Sequence, residues 1–199
     1  MEDPRVHLAR ICKLAYDRQL LDSAGGNVTT RFGDRIYMTR SYSGARYQWN
    51  LRPDDILVLD CDGNILAGEG EFSREGAVHL ACYREFPEAG CVFHAHSLNL
   101  MPFVALQAPI PPLSEQTDKF GELGFCKWAA THTDALADNV VDALKLQREA
   151  LPQHPIATLI PRHGIFLVGL DLNITYDTLE RLDRNAYMVL MARLLRPPA

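Results

Sequence analysis

Near the start of the chain, apolar residues recur at helical spacing. Val6, Ala9, Ile11, Leu14, Ala15 and Leu21 predict an amphipathic helix over 5–21. Gly25-Gly26 then breaks the pattern, and β-branched residues on either side of Gly33-Asp34 read as two short strands joined by a turn. The stretch "SYSGARYQWN" reads as a loop. "ILVLD" is a buried strand, and "CDGN" after it is a hairpin turn whose Asp-Gly and Gly-Asn steps suit positive φ. Ser73 is an N-cap for a helix running to Phe86, where Pro87 stops it. A strand around Cys91–His96 and a short helix over 98–107 follow. Pro109, Pro111 and Pro112 open an irregular stretch to Phe125. Residues 134–149 are a further helix. "IATLIP" and "GIFLVG" are two strands joined at Arg162-His163-Gly164, and the segment from Ile174 makes a long C-terminal helix. Strands interleaved with helices, with an apparent hairpin, predict a largely antiparallel or mixed sheet covered by helices, in one domain over 1–199.

Composition narrows the function classes. The net charge of −5 supplies no global field for nucleic acid or anionic lipid, so neither partner is expected. No apolar run is long enough to span a bilayer, and "MEDPRVHLAR" lacks a secretory core. The five cysteines are odd in number and scattered without a CxxC pair, which predicts free thiols in a reducing compartment such as the cytoplasm.

"CVFHAHS" sets His94 and His96 one residue apart in an apolar run. Alternate strand positions project to one face, so the two rings share a side. Such a pair can ligate a metal, or it can be two hydrogen-bonded core histidines. Zinc and similar ions take imidazole nitrogen and carboxylate oxygen, and a catalytic site usually carries three protein ligands. His163, before Gly164 at a predicted bend, is the candidate third ligand. His7, His79, His132 and His154 read as ordinary helix or surface residues. Glu75, in the expected first helical turn, is the candidate for proton chemistry or simply a favourable helix start. "GGN" at 25–27, "SG" at 43–44 and the turn at Ser73 offer backbone N–H groups to an anion, and Arg40, Arg46 and Arg74 could add charge.

In this order and spacing, "GGNVTTR", "LRPDDILVLDCDGN", "FSREGAVHLACYREFPEAGCVFHAHS" and "LIPRHGIFLVG" resemble the class II aldolase/adducin family across nearly the whole chain. The resemblance implies a three-layer α/β fold, a central mainly antiparallel sheet flanked by helices. It also implies a homotetramer with active sites between subunits. It assigns a divalent ion, Zn2+ or else Mn2+, Co2+ or Fe2+, to His94, His96 and His163, with Glu75 as a further ligand and acid/base. It assigns substrate phosphate to Gly26, Asn27, Ser43, Gly44 and Ser73. The family's second serine is Arg74 here, where a guanidinium could strengthen a phosphate site or read a carboxylate. Glu115 and Asp118 are candidates for the family's second acid/base. The implied activity is cleavage of a ketose, as its 1-phosphate, into dihydroxyacetone phosphate and an aldehyde. Methylthioribulose-1-phosphate dehydration, ribulose-phosphate 4-epimerisation and keto-acid decarboxylation share the metal site, and an adducin-like binding module shares the fold. Three filled ligand positions favour an enzyme.

Overall fold

A computed structural model describes residues 2–195. Seven strands form one antiparallel sheet in the order β4-β3-β2-β1-β5-β7-β6. They are β1 (Asn27–Phe32), β2 (Arg35–Thr39), β3 (Ile56–Leu59), β4 (Ile65–Ala67), β5 (Cys91–Ala95), β6 (Ile156–Ile160) and β7 (Gly164–Gly169). The helices are α1 (Pro4–Asp17), α2 (Ser43–Tyr47), α3 (Gly76–Glu85), α4 (Met101–Leu106), α5 (Glu115–Asp118), α6 (Asp134–Lys145) and α7 (Leu172–Leu195). The mixed α/β fold with an antiparallel sheet is therefore the one expected.

Strand alternation sorts the core into two halves. Cys91, Phe93 and Ala95 of β5 face one side, where they join Leu8 and Ile11 of α1 and Leu179 and Leu182 of α7. Val92 faces the other side, with Val78 and Cys82 of α3 and Leu136 and Val140 of α6. The sheet is thus covered on both faces, and β5, β6 and β7 are buried along their whole length. Continuous apolar runs are what a doubly covered strand requires.

Several expected boundaries move. α1 ends at Asp17 rather than at residue 21, because Gln19 takes φ 60° and turns the chain back. Leu20 and Leu21 remain buried after that turn, which is why the apolar pattern runs past the helix. The segment read as a loop contains α2, bracketed by Tyr42, Gln48 and Trp49 in left-handed conformation. Trp49 is fully buried there and its Nε1 donates to the Asp22 carbonyl at 2.8 Å. α3 starts at Gly76, three residues after Ser73, whose Oγ accepts from the Glu75 N–H at 3.3 Å. The irregular stretch carries α5 and an isolated pairing of Ile110 with Leu123.

Candidate metal centre

β1, β5 and β7 are neighbours at the middle of the sheet, and the candidate centre lies where their ends meet. His94 is on β5 and fully buried; His96 follows the strand; His163 occupies the β6–β7 turn. One ligand atom from each of the three rings lies within 4.8 Å of the others. His94 stacks on Phe166, its register partner on β7, with centroids 4.5 Å apart.

Room for the rings comes from two glycines. A Cβ at Gly164 would stand 2.4 Å from the Ala95 carbonyl oxygen, 2.8 Å from His96 Cδ2 and 3.2 Å from His94 Cε1. On the other side, a Cβ at Gly25 would stand 2.7 Å from His96 Cε1. The Gly25-Gly26 break in the sequence is thus the wall against which His96 lies.

Hydrogen bonds behind the rings fix their tautomers. His94 Nδ1 meets the Ile165 carbonyl at 3.0 Å and must donate to it. His96 Nδ1 lies 3.3 Å from the Asp22 carboxylate. That carboxylate is braced by the N–H groups of Ala24 and Gly25. Burial would raise the Asp22 pKa, but His96 and those N–H donors outweigh it and hold it below its usual value. Both Nε2 atoms are therefore left with a lone pair, and they face each other at 3.2 Å.

Glu75 closes the cluster. Its Oε2 is 3.3 Å from His94 Nε2 and its Oε1 is 3.1 Å from His163 Nε2. Burial alone would push this carboxyl up, but His94, His163 and the Asn27 amide prevail and hold it at about 2. Burial drives His94 down to about 3 and also lowers His163. At neutral pH the carboxylate is charged while these imidazoles are neutral. Nitrogen and oxygen donors of the three rings and the carboxylate thus converge, and Glu75 Oε1 and His163 Nδ1 are buried without a hydrogen-bond partner. A divalent cation fits this donor set, since metal ligands must be deprotonated.

The cluster opens on a pocket of about 240 Å3. Gly26, Asn27, Ser43, Gly44, Ser73 and Arg74 all line it, with Glu75, His96 and His163 at its base. Arg40 also lines it, held by Asp55 at 2.8 Å and lying over the Tyr47 ring. Arg46 instead lies over Tyr42 and is not among the lining residues. Glu115 and Asp118 are exposed on α5, which Thr117 anchors to Asn185 of α7; neither lines this pocket.

Three contributors were read as ordinary or not singled out. His79 is buried on α3 and hydrogen-bonded to Asn27, not an ordinary helix residue. His132, with φ 64°, lines the pocket. Asp22 carries His96. Only His79 left a trace in the sequence: it follows Glu75 by four residues, the spacing of neighbours on a helical face.

The family described as Class II Aldolase and Adducin N-terminal domain matches residues 6–190. An L-fuculose phosphate aldolase of Methanocaldococcus jannaschii is 28% identical over 188 residues, 94% of this chain and 96% of that protein. An L-ribulose-5-phosphate 4-epimerase of Salmonella paratyphi B is also 28% identical, over 178 residues, 86% of this chain and 77% of that protein. Among solved structures, an l-fuculose-1-phosphate aldolase from Thermus thermophilus superposes with a TM-score of 0.79 at 24% identity. That superposition covers 99% of this chain and 100% of the other, and it establishes likeness of fold.

Proposed function

The chain belongs to the class II aldolase and adducin N-terminal domain family, and from that premise we propose that it is a divalent-metal-dependent lyase. Its substrate on this reading is a ketose 1-phosphate, split into dihydroxyacetone phosphate and an aldehyde. The observation that carries the reading is the convergence of three imidazoles and one buried carboxylate beside a pocket that Gly26, Asn27, Ser43, Gly44, Ser73 and Arg74 line. His94, His96, His163 and Glu75 hold the ion, with Zn2+ the first candidate and Mn2+, Co2+ or Fe2+ compatible with the same nitrogen and oxygen donors. When bound, the ion supplies Lewis-acid polarisation of the substrate ketone.

The chain's own groups do the rest. Backbone N–H groups at Gly26 and Gly44, the hydroxyls of Ser43 and Ser73, the Asn27 amide and the Arg74 guanidinium bind and orient the phosphate. Glu75, charged at neutral pH, removes the proton from the reactive carbon of dihydroxyacetone phosphate in the aldol direction; in cleavage it first takes up a proton from solvent and then hands it to the carbon freed when the C3–C4 bond breaks, returning to the carboxylate. The departing aldehyde's oxygen sheds a proton to a second base. Glu115 and Asp118 are exposed on α5, away from their own chain's pocket, and fit that role only from a neighbouring copy. A homotetramer with sites between subunits supplies that arrangement, and sedimentation velocity checks it. The five free thiols support a reducing compartment, the cytoplasm on this reading.

The test is hydrogen exchange at the reactive carbon of dihydroxyacetone phosphate in D2O. Glu75→Gln should abolish the exchange while part of the metal is retained; exchange at the wild-type rate refutes the acid/base role. A second reading, 4-epimerisation of a ribulose phosphate, is favoured by the equal identity to the epimerase relative. One isomer in place of two fragments would select it.

A further inference from the structure

Behind Glu75 runs a buried chain of side chains of which the proposed reaction uses only Asn27. Asn27 Nδ2 donates to Glu75 Oε2 at 2.8 Å. Asn27 Oδ1 meets His79 Nε2 at 2.5 Å. His79 Nδ1 meets Thr29 Oγ1 at 2.9 Å, and Thr29 Oγ1 meets the Tyr83 hydroxyl at 3.0 Å. Every member is buried, from Tyr83 at 5% exposure to Thr29 at 0%. Asn27 and Thr29 are on β1, His79 and Tyr83 on α3, so the chain also joins a central strand to the helix behind Glu75.

While Glu75 is charged, one orientation satisfies every member of the chain; the other acceptor within reach of the Thr29 hydroxyl, the Val92 carbonyl, lies farther off at 3.4 Å. A carboxylate accepts and does not donate, so Asn27 must turn its nitrogen toward it. The amide oxygen then faces His79, whose Nε2 must carry the proton. His79 Nδ1 in turn accepts from the Thr29 hydroxyl, and Thr29 accepts from Tyr83. All donors point toward Glu75, an arrangement in which each bond polarises the next. Glu75 Oε2 thereby accepts one hydrogen bond, while also lying 3.3 Å from His94 Nε2. The other, Oε1, faces His163 and has no hydrogen-bond partner.

We propose that His79 is a positioning residue: as the Nε2–H tautomer it locks the Asn27 amide with its nitrogen toward Glu75, and so selects Oε1 as the oxygen free for the ion and for proton transfer. The inference rests on the assignment of Glu75 as ligand and acid/base. Burial drives His79 down to about 3, which keeps it neutral at neutral pH and preserves one donor and one acceptor on the ring.

Two measurements test it. In the ion-free protein, long-range 15N–1H NMR of the histidine rings should report His79 as the Nε2–H tautomer; the Nδ1–H tautomer overturns the proposal. Second, His79→Leu should weaken Zn2+ binding about 10–100-fold, the usual effect of removing a group that orients a ligand. In the same variant kcat should fall by a similar factor with KM within about threefold. His79→Gln places an amide N–H near the position of Nε2 and should recover most of both losses. Equal loss in the two variants, or no loss in either, overturns the proposal. Ion binding is read without substrate, so a failure of the acid/base role in Glu75→Gln leaves this result independently interpretable.

Discussion

Gly164→Ala adds one methyl group at the tightest point of the candidate centre. Gly164 is not in a left-handed conformation, so the backbone accepts alanine and the effect is purely steric. The new Cβ meets the Ala95 carbonyl oxygen of β5 at 2.4 Å, where ordinary contact begins at 3.4 Å. β7 must therefore draw away from β5, or its start must twist. The same methyl meets His96 Cδ2 at 2.8 Å and His94 Cε1 at 3.2 Å. Those rings cannot swing aside without breaking their bonds to Asp22 and Ile165. Overpacking of this kind costs about 1–3 kcal/mol. At about 2–4 °C per kcal/mol for a chain of this size, the unfolding midpoint should fall by roughly 2–12 °C. Ion binding should suffer more than the fold, because ligand distances tolerate only about 0.2 Å. Zn2+ affinity, measured by competition with a chromophoric chelator, should drop on the order of tenfold or more. Gly124→Ala is the control, since a Cβ there has nothing within 4 Å and no positive φ to strain. Wild-type affinity and an unchanged midpoint in Gly164→Ala would refute the claim that this glycine makes room for the histidines.

Two other substitutions probe the pocket wall. Asp55 is buried and accepts from Arg40 Nη1 at 2.8 Å and the Arg52 N–H at 2.9 Å. Burial would raise its pKa, but these partners hold it below its usual value. A depressed folded-state pKa adds stability that is fully present above the unfolded value of about 3.9 and vanishes as pH falls through the folded value. Asp55→Asn should therefore cost about 3 kcal/mol at neutral pH by leaving Arg40 unpaired, and less at pH 3; urea unfolding showing the same gap at both pH values contradicts this. Arg74 is exposed and lines the pocket. Arg74→Ala should leave stability within about 0.5 kcal/mol and raise KM for a phosphorylated ketose about tenfold, the loss of one charge-assisted bond worth about 1.5 kcal/mol. An unchanged KM removes Arg74 from the anion site.

The residues that spell the centre were legible because their cues are local. HxH on an apolar run and His-Gly after a strand both follow from strand alternation and a bend. The six candidate anion-site positions sit at loop ends and element starts, and all six line one pocket. Boundaries were less legible, since the apolar pattern does not distinguish a helix end from a buried turn. Leu20 and Leu21 continue the stripe of α1 although Gln19 has already reversed the chain. α2 was hidden for a related reason: three left-handed residues, none of them glycine, are held by tertiary contacts such as Trp49 to Asp22. Asp22 reaches His96 and His132 reaches the pocket only through the fold, with no local cue in the sequence, and the one cue for His79 is its spacing of four from Glu75. Glu115 and Asp118 look alike as sequence and remain alike as structure, both exposed on one short helix.

The order in which the sheet is woven has a bearing on biosynthesis. β5 emerges from the ribosome with β1 available on one edge, but its other edge waits for β7, some seventy residues later. Until that strand zips into place, His94 and His96 lack their third imidazole and an apolar edge stays bare, open to pairing with other chains. If the ion binds as proposed, its loading is a late event in the life of a new polypeptide. On that reading, a chain cut short before His163 would lack the third imidazole as well as the strand that covers β5, so metal content would serve as a gauge of completed synthesis.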